Sequence, residues 1–477
     1  MSAVAAVNSG LTFALHTQIL KVYGVGCMVD SYIIGTSAPA AITSLYTGVL
    51  SNILLPHLQF KKSQKKEVVH SLVGSAIGLL ALSFALTLAV ALLQYQKFGD
   101  DSCNQVMLQV RLAYALSIPI STLVAVSIVA RQLDGQLNAG TVVQLWPSIL
   151  QVFIVTVYGS NFRIDVLAWT HLCGCLVQLL IISFKIKWLA YPPQFDSFLD
   201  VVKQIPLTAA SLSLFVLVPL SDYYWASYLP TGSLTYVANC HRIIVGATGI
   251  LSVGLSTIAI NKLSAMQSSS EEEKNLFLNK CLLWYFISSV PVVLTVRMCP
   301  EVLVKLLFER GVFNNYNSHQ MSDLLRVVII GMLPMGLATI LFKGLFADRK
   351  INSAAFISIL STLVYFLFSG FITKTFGILG LGIGYPIFWI VVSIICRFLI
   401  GSKAKLQDKL INPLILKTVM VLLSWDFLGG FYALKFGGLI NQSPIVFLIL
   451  VFLANCSITV FSWVIIKKYS SKVKIKV

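Results

Sequence analysis

The chain has 477 residues, of which 57% are hydrophobic and only 11% are charged. A soluble domain carries about 25% charged residues, so this composition excludes an ordinary soluble protein and predicts a polytopic membrane protein. The net charge of +17 does not indicate nucleic-acid binding, because the basic residues lie in short clusters between apolar runs, as they do in cytoplasmic loops.

About fourteen stretches are apolar and long enough to cross a membrane as helices. The N-terminus lacks the charged start of a signal peptide, since Lys21 is the first charged residue, and the first stretch is therefore expected to be retained as a helix. The spans are predicted at 2–21, 31–57, 70–94, 106–130, 140–160, 165–184, 203–228, 234–262, 278–298, 323–347, 353–373, 378–400, 413–436 and 444–466.

The basic residues also predict the orientation of these spans. With an even number of spans, both termini lie on the same side of the membrane. If that side is the cytoplasm, roughly two thirds of the 35 Lys and Arg fall in cytoplasmic loops or ends, as the positive-inside rule requires. We therefore expect cytoplasmic N and C termini.

Nothing in the sequence indicates an enzyme. The largest predicted outer loop, about 299–322, has room for one short helix, and no carboxylate pair, Ser/His/Asp set or phosphate-binding loop stands out. His171, Cys173 and Cys175 would supply only part of a zinc site, which needs about four ligands. The nine cysteines are interpreted as membrane-core residues without a disulfide framework, and neither a metal nor an organic cofactor is expected.

Ionisable residues within the spans are the first candidates for a functional site, because they are costly in a membrane and usually face a cavity. Arg242 lies about nine residues into its predicted span, too deep to reach the interface easily, and so predicts a water-filled cavity that receives an anion. His16 and His241 are candidates for the same cavity or, equally, satisfied core histidines. Asp30 and Asp222 lie near span ends, where a side chain can also reach the interface.

Polar uncharged residues point to the same cavity. Ser9 and Thr43 belong to the first two spans, which are rich in hydroxyl groups, and Thr235 belongs to the eighth. Such helices line an aqueous path better than they face lipid. The prediction is an all-α polytopic membrane protein with two six-helix lobes around a central cavity. The N-terminal lobe covers 1–200 with spans 1–6, the C-terminal lobe covers 201–402 with spans 7–12, and 403–477 holds spans 13–14 and a basic cytoplasmic tail.

Three motifs carry a resemblance to a known family. They are YGVGCMVDSYIIGTSAPAAITSLYTGVLSNILLPHL (23–58), TGSLTYVANCHRIIVGATGILSVGLSTIAINKLS (231–264), and LVKLLFERGVF (303–313) followed by LFADRKINSA (345–354). In order and spacing the chain resembles the MurJ/MviN family of lipid II flippases, within the multidrug/oligosaccharidyl-lipid/polysaccharide exporter superfamily.

The resemblance implies a flippase of the bacterial inner membrane that works by alternating access. Its substrate would be an undecaprenyl-pyrophosphate-linked glycan precursor such as lipid II. Arg242 matches an essential cavity arginine of the family, and Asp30 matches an acidic position at the outer side of the lobes. The resemblance further implies coupling to protons or sodium ions, for which Asp30, Asp222 and His241 are candidates. We expect contacts with membrane lipids, no nucleic-acid partner and a monomer.

The chain departs from the family pattern within the cavity, and this leaves other functions open. Uncharged residues stand where the family usually has arginines, and His241 stands where it usually has Asp; the uncharged residues are Ser9, Leu15, Thr43 and Ser44. A different lipid-linked glycan, such as an O-antigen or exopolysaccharide unit, is therefore an alternative. The others are a cation-coupled small-molecule exporter on the same fold, a non-transporting scaffold and a membrane glycosyltransferase or ligase.

Overall fold

In a computed structural model, the protein is built from helices. The structure describes residues 2–60, 77–89, 100–133, 142–183, 196–266, 270–347, 350–401 and 443–457. Within these ranges the regular structure is entirely helical, which confirms the predicted fold class.

Fifteen α-helices with described bounds and two short 3₁₀ turns follow one another along the described part of the chain. The 3₁₀ turns are Gly159–Asn161 and Ile329–Gly331. The α-helices are α1 (Ser2–Tyr23), α2 (Cys27–Phe60), α3 (Ile77–Ala89), α4 (Asp101–Leu133), α5 (Trp146–Tyr158), α6 (Val166–Ser183), α7 (Asp196–Ala226), α8 (Ser233–Ala265), α9 (Glu271–Met298), α10 (Pro300–Phe308), α11 (Asn315–Val328), α12 (Met332–Ala347), α13 (Ile351–Phe376), α14 (Ile378–Gly401) and α15 (Pro444–Ser457).

Each described helix except α10 overlaps one of the predicted spans, and the span predicted at 413–436 lies outside the described residues. By length and composition, 7 described segments can cross a membrane: α4, α6, the part of α7 from Lys203, α9, α11 together with α12, α13 and α14. The polar helices α1, α2 and α8 are not among these 7. The predicted outer loop at 299–322 contains α10 and the start of α11, which is more helix than the single short one expected.

Local sequence explains where several helices begin. Asp100 precedes α4, and its side-chain oxygen accepts the N–H of Ser102 at 2.8 Å. Ser270 caps α9 by accepting the N–H of Glu273 at 3.3 Å, and Asn314 caps α11 in the same manner. A side-chain acceptor at this position satisfies one of the backbone N–H groups that a helix leaves open at its start.

Tertiary contacts group the chain into two compact units. The first contains Met1–Asn239, Arg310–Phe313 and Ile351–Thr375, and the second contains Cys240–Glu309, Asn314–Lys350 and Phe376–Val477. Both units thus combine segments that are distant in sequence. The predicted lobe boundaries at residues 200 and 402 stay a prediction.

In the first unit, close helix approaches depend on small residues. α2 packs along α4, and α5 packs against α6. A Cβ added at Gly35 would lie 2.9 Å from the Met107 carbonyl oxygen, and one at Gly174 would lie 2.5 Å from the Cα of Pro147. Since apolar side chains gain little by leaving lipid for a neighbouring helix, close packing of this kind holds membrane helices together.

One cysteine pair contradicts the expectation of no disulfide. Cys27 at the start of α2 is bonded to Cys103 in the first turn of α4, with Cα atoms 6.0 Å apart. The other cysteines are free. The pairing was missed because the two residues are separated by 76 positions and show no spacing pattern.

Candidate functional site

Arg242 lies deep in α8. It stands nine positions after Ser233, which at about 1.5 Å per residue is roughly 13 Å along the helix. Its side chain is half-buried. A guanidinium keeps its charge in such a place, and its planar fork matches two oxygens of a phosphate. The role of Arg242 in binding an anion stays a prediction.

The side chain of His241 contacts an aromatic residue of another helix. It is buried and lies against Tyr385 of α14 in a tilted arrangement, with ring centroids 4.7 Å apart and planes 32° apart. Both residues belong to the second unit. His241 thus contributes to the packing of α8 on α14, and its predicted contact with a substrate stays a prediction.

Asp30 caps the N-terminus of α8 from another helix. Its buried carboxylate accepts the N–H of Gly232 at 2.6 Å, the N–H of Thr235 at 2.9 Å and the hydroxyl of Thr235 at 2.6 Å. Gly232 precedes the helix and has no side chain to cap it, so Asp30 takes the place of a capping residue. The structure thereby brings together two predicted site residues, Asp30 and Thr235.

The α7–α8 turn and the turn at residues 310–313 both contact the region where α1 ends and α2 begins. The carbonyl of Lys21 accepts the N–H of Val312 at 3.0 Å. Gly311 has φ +62 and Gly232 has φ +94, and an added Cβ would press on Lys21 and Val25 respectively. Glycine is required at both positions by backbone conformation as well as by space. Residues 310–313 are thus held against the end of α1, and the α7–α8 turn is held against the α1–α2 turn and the start of α2, all within the first unit.

Two hydroxyls of the polar helices α1 and α2 bond back to their own helices, whereas the hydroxyl of Thr235 donates to Asp30. Thr43 donates to the carbonyl of Pro39 at 2.9 Å, and Thr12 donates to that of Asn8 at 3.0 Å. This arrangement satisfies a hydroxyl proton in a membrane helix and leaves its oxygen able to accept a further hydrogen bond. Thr43 and His16 are half-buried and Ser9 is exposed. Their role in lining a cavity stays a prediction.

Asp222 lies in a buried polar seam between α7 and α13. Tyr365 donates its hydroxyl to the carboxylate at 2.6 Å. Next to it, the hydroxyl oxygens of Ser221 and Ser369 are 3.1 Å apart. Asp222 lies near the end of α7, and its side chain is fully buried. A buried carboxylate in a membrane-spanning helix is a candidate for a functional role.

Sequence reasoning missed a second polar cluster, in the first unit. One N–H of the Gln151 amide donates to the carbonyl of Leu167 at 2.9 Å, and the amide nitrogen lies 3.3 Å from the hydroxyls of both Tyr32 and Tyr114, which share its other N–H. His171 stacks on Tyr114 with ring centroids 4.3 Å apart. The sequence feature that could have indicated this cluster is Gln151, an amide side chain within an apolar span. Shared hydrogen bonds of this kind join four helices into one body.

No metal centre arises from this cluster. In the part of the chain that the structure describes, no three His, Cys, Asp or Glu side chains come together in a way that could hold a metal ion. The Nε2 of His171 lies 3.6 Å from the Sγ of Cys175, a hydrogen-bond distance and not a coordination pair.

Long apolar helices with charged and polar residues inside them define a polytopic helical membrane protein of the transporter type. The chain belongs to the lipid II flippase MurJ family, whose model matches residues 19–436. It is accordingly a multi-pass protein of the bacterial inner membrane.

Similar proteins agree with this family. A probable lipid II flippase MurJ of Thermotoga maritima is 22% identical over 418 residues, which is 86% of this chain and 87% of the relative. One of Buchnera aphidicola subsp. Baizongia pistaciae is 22% identical over 407 residues, covering 79% and 77%.

Solved structures of two transporters have folds similar to that of this chain. A lipid II flippase MurJ in an inward closed conformation has a TM-score of 0.77 at 17% identity and covers 97% of this chain and 99% of its own. An inward-facing multidrug resistance transporter of the MATE family has a TM-score of 0.67 at 14% identity and covers 84% and 96%. The MurJ fold thus accounts for more of this chain.

Proposed function

We propose that this protein is a flippase that moves lipid II, or a closely related undecaprenyl-pyrophosphate-linked glycan, from the inner to the outer leaflet by alternating access. The observation that carries the proposal is Arg242, a permanent cation roughly 13 Å inside α8 in a chain whose family model spans residues 19–436. Both termini would be cytoplasmic.

Arg242 would bind the pyrophosphate of the substrate. A guanidinium donates two parallel hydrogen bonds to a phosphate, and such charge-assisted bonds are roughly twice as strong as neutral ones. Charge attraction also grows where water is excluded. The glycan would be held by hydroxyl and imidazole groups, for which Ser9, His16, Thr43 and His241 are the candidates.

The low number of cationic groups bears on which glycan is moved. Where the resemblance to the family implies several cavity arginines, this chain has Ser9, Leu15, Thr43 and Ser44. A single guanidinium binds a pyrophosphate less tightly than several do, so we propose that hydrogen bonds to the sugars supply more of the affinity. That dependence favours selection by glycan structure, either for lipid II itself or for an exported polysaccharide unit.

We propose separate roles in the transport cycle for the two buried carboxylates. Asp30 bonds to three donors at the start of α8, and we assign it to holding the turns around α2 and α8 together during one half of the cycle. Asp222, next to the hydroxyl of Tyr365, is our candidate for coupling to protons or sodium ions. Neither role requires a catalytic step or a cofactor, and a monomer in contact with membrane lipids suffices.

A growth test addresses the proposal directly. The chain is expressed in a bacterium depleted of its own lipid II flippase, beside Arg242→Lys, Arg242→Ala and the control Arg163→Lys. Arg163 is an exposed arginine paired with Asp165 at 3.3 Å. We expect rescue by the wild type and the control, and loss of rescue by both Arg242 variants, because an ammonium lacks the fork geometry.

Other outcomes have distinct meanings. Failure of an expressed, membrane-inserted wild type would exclude lipid II and leave another lipid-linked glycan. Full rescue by Arg242→Lys would contradict bidentate binding of the pyrophosphate. The second candidate function is a cation-coupled small-molecule exporter, favoured by the MATE-family neighbour with a TM-score of 0.67. Export of cationic dyes without rescue would support it.

A further inference from the structure

Two helices of the first unit begin side by side at a cysteine pair. Cys27 is the first residue of α2, and Cys103 lies in the first turn of α4. Their Cα atoms are 6.0 Å apart, inside the range of about 4.4–6.8 Å that a disulfide spans. Since α2 also packs along α4, the two helices run in the same direction from this point.

The basic residues indicate which side of the membrane the pair occupies. Lys61 and Lys62 follow the far end of α2, and Arg131 lies in the last turn of α4. Both far ends are therefore expected in the cytoplasm. The ends that carry Cys27 and Cys103 then lie at the periplasmic face, where disulfides form and persist.

We propose that the disulfide between Cys27 and Cys103 is formed in the periplasm and that it positions Asp30 by fixing the first turn of α2 on α4. The N–H groups of Val29 and Asp30 both bond to the carbonyl of Gly26, at 3.1 and 3.0 Å. Cys27 and Asp30 thus belong to one helical turn, so a covalent bond at Cys27 limits the movement of the carboxylate that caps α8.

The bond would form by exchange with the disulfide of a periplasmic thiol oxidase. The Cys27 thiolate attacks one sulfur of the oxidase, forms a mixed disulfide and releases the second oxidase sulfur as a thiol. The Cys103 thiolate then displaces the first, so that two protein thiols become one disulfide and the oxidase disulfide becomes two thiols. Cys27 reacts first, because it is half-exposed whereas Cys103 is 1% exposed.

Asp100 slows thiol exchange at Cys103, both when the bond forms and when it is reduced. Its Oδ2 lies 3.8 Å from the Sγ of Cys103. The hydroxyl and the backbone N–H of Ser102 donate to this carboxylate and lower its pKa below the usual value, so it stays charged. Reduction would have to release a thiolate at Cys103 or bring one in beside this negative charge, and either step is disfavoured.

A thiol-trapping experiment on the full chain tests the disulfide. Cells are denatured in excess N-ethylmaleimide, which blocks every free thiol; the protein is then reduced and labelled with maleimide–polyethylene glycol. We expect two additions in the wild type and in the control Cys173→Ser, and none in Cys27→Ser, in Cys103→Ser or in a strain without its periplasmic thiol oxidase. Wild type without additions, or additions that persist in Cys27→Ser, would overturn the proposal.

Hydrogen exchange tests the positioning of Asp30. In the purified chain, peptides covering 229–239 report the N–H groups that Asp30 accepts, and peptides covering 332–347 in the second unit serve as an internal reference. Reduction of the wild type, or the double change Cys27→Ser with Cys103→Ser, should speed exchange in the first region only. Unchanged exchange in 229–239 after both treatments would overturn the positioning role.

Discussion

The replacement Asp30→Asn is the sharpest test of how the start of α8 is held. The carboxylate accepts two N–H groups and one hydroxyl, at 2.6, 2.9 and 2.6 Å. An asparagine has one oxygen acceptor and would turn its NH₂ group toward a backbone donor. Bonds to a charged group contribute about 1.5–3 kcal/mol each, so losing one or two of them should destabilise the first unit by about 3 kcal/mol.

Thermal unfolding of purified protein, followed by loss of the monodisperse peak, measures this effect. A loss of that size corresponds to a fall of roughly 5–10 °C in the midpoint. Thr235→Val removes only the hydroxyl donor and should cost less, about 1–2 kcal/mol. The control is Asp101→Asn, the same change at an exposed residue in the first turn of α4, which should stay within about 0.5 kcal/mol. If Asp30→Asn unfolds together with Asp101→Asn, the carboxylate does not hold α8.

Two further predictions concern coupling and orientation. Tyr365→Phe removes the hydroxyl that donates to Asp222 at 2.6 Å; it should lower stability by about 1–3 kcal/mol and reduce growth rescue. The control Tyr316→Phe, at an exposed residue, should change neither stability nor rescue. Equal rescue by the two variants would count against a role of Asp222 in coupling. Cysteines introduced as Lys62→Cys or Ala404→Cys should resist impermeant thiol reagents in intact cells, and ready labelling would show that the orientation is reversed.

Several features followed from the sequence without any knowledge of the fold. The low charged fraction and the length of the apolar runs determine that the helices cross a membrane, because each backbone must satisfy its own hydrogen bonds there. Arg242 stood out for the same reason, since a charge inside a span is costly wherever the helices pack, and Asp30 stood out beside the start of a span. These properties depend on residues close together in the chain.

The partners of those residues were decided only by the tertiary structure. Asp30 contacts Gly232, which is 202 residues away in sequence, Asp222 contacts Tyr365, 143 residues away, and Cys27 contacts Cys103, 76 residues away. Hydrogen bonds and disulfides act over a few ångströms, so they depend on which helix ends come together, and no local pattern records that. The sequence thus determined the helices and the charges within them, and the packing decided that Asp30 caps a helix and that Asp222 lies against a tyrosine.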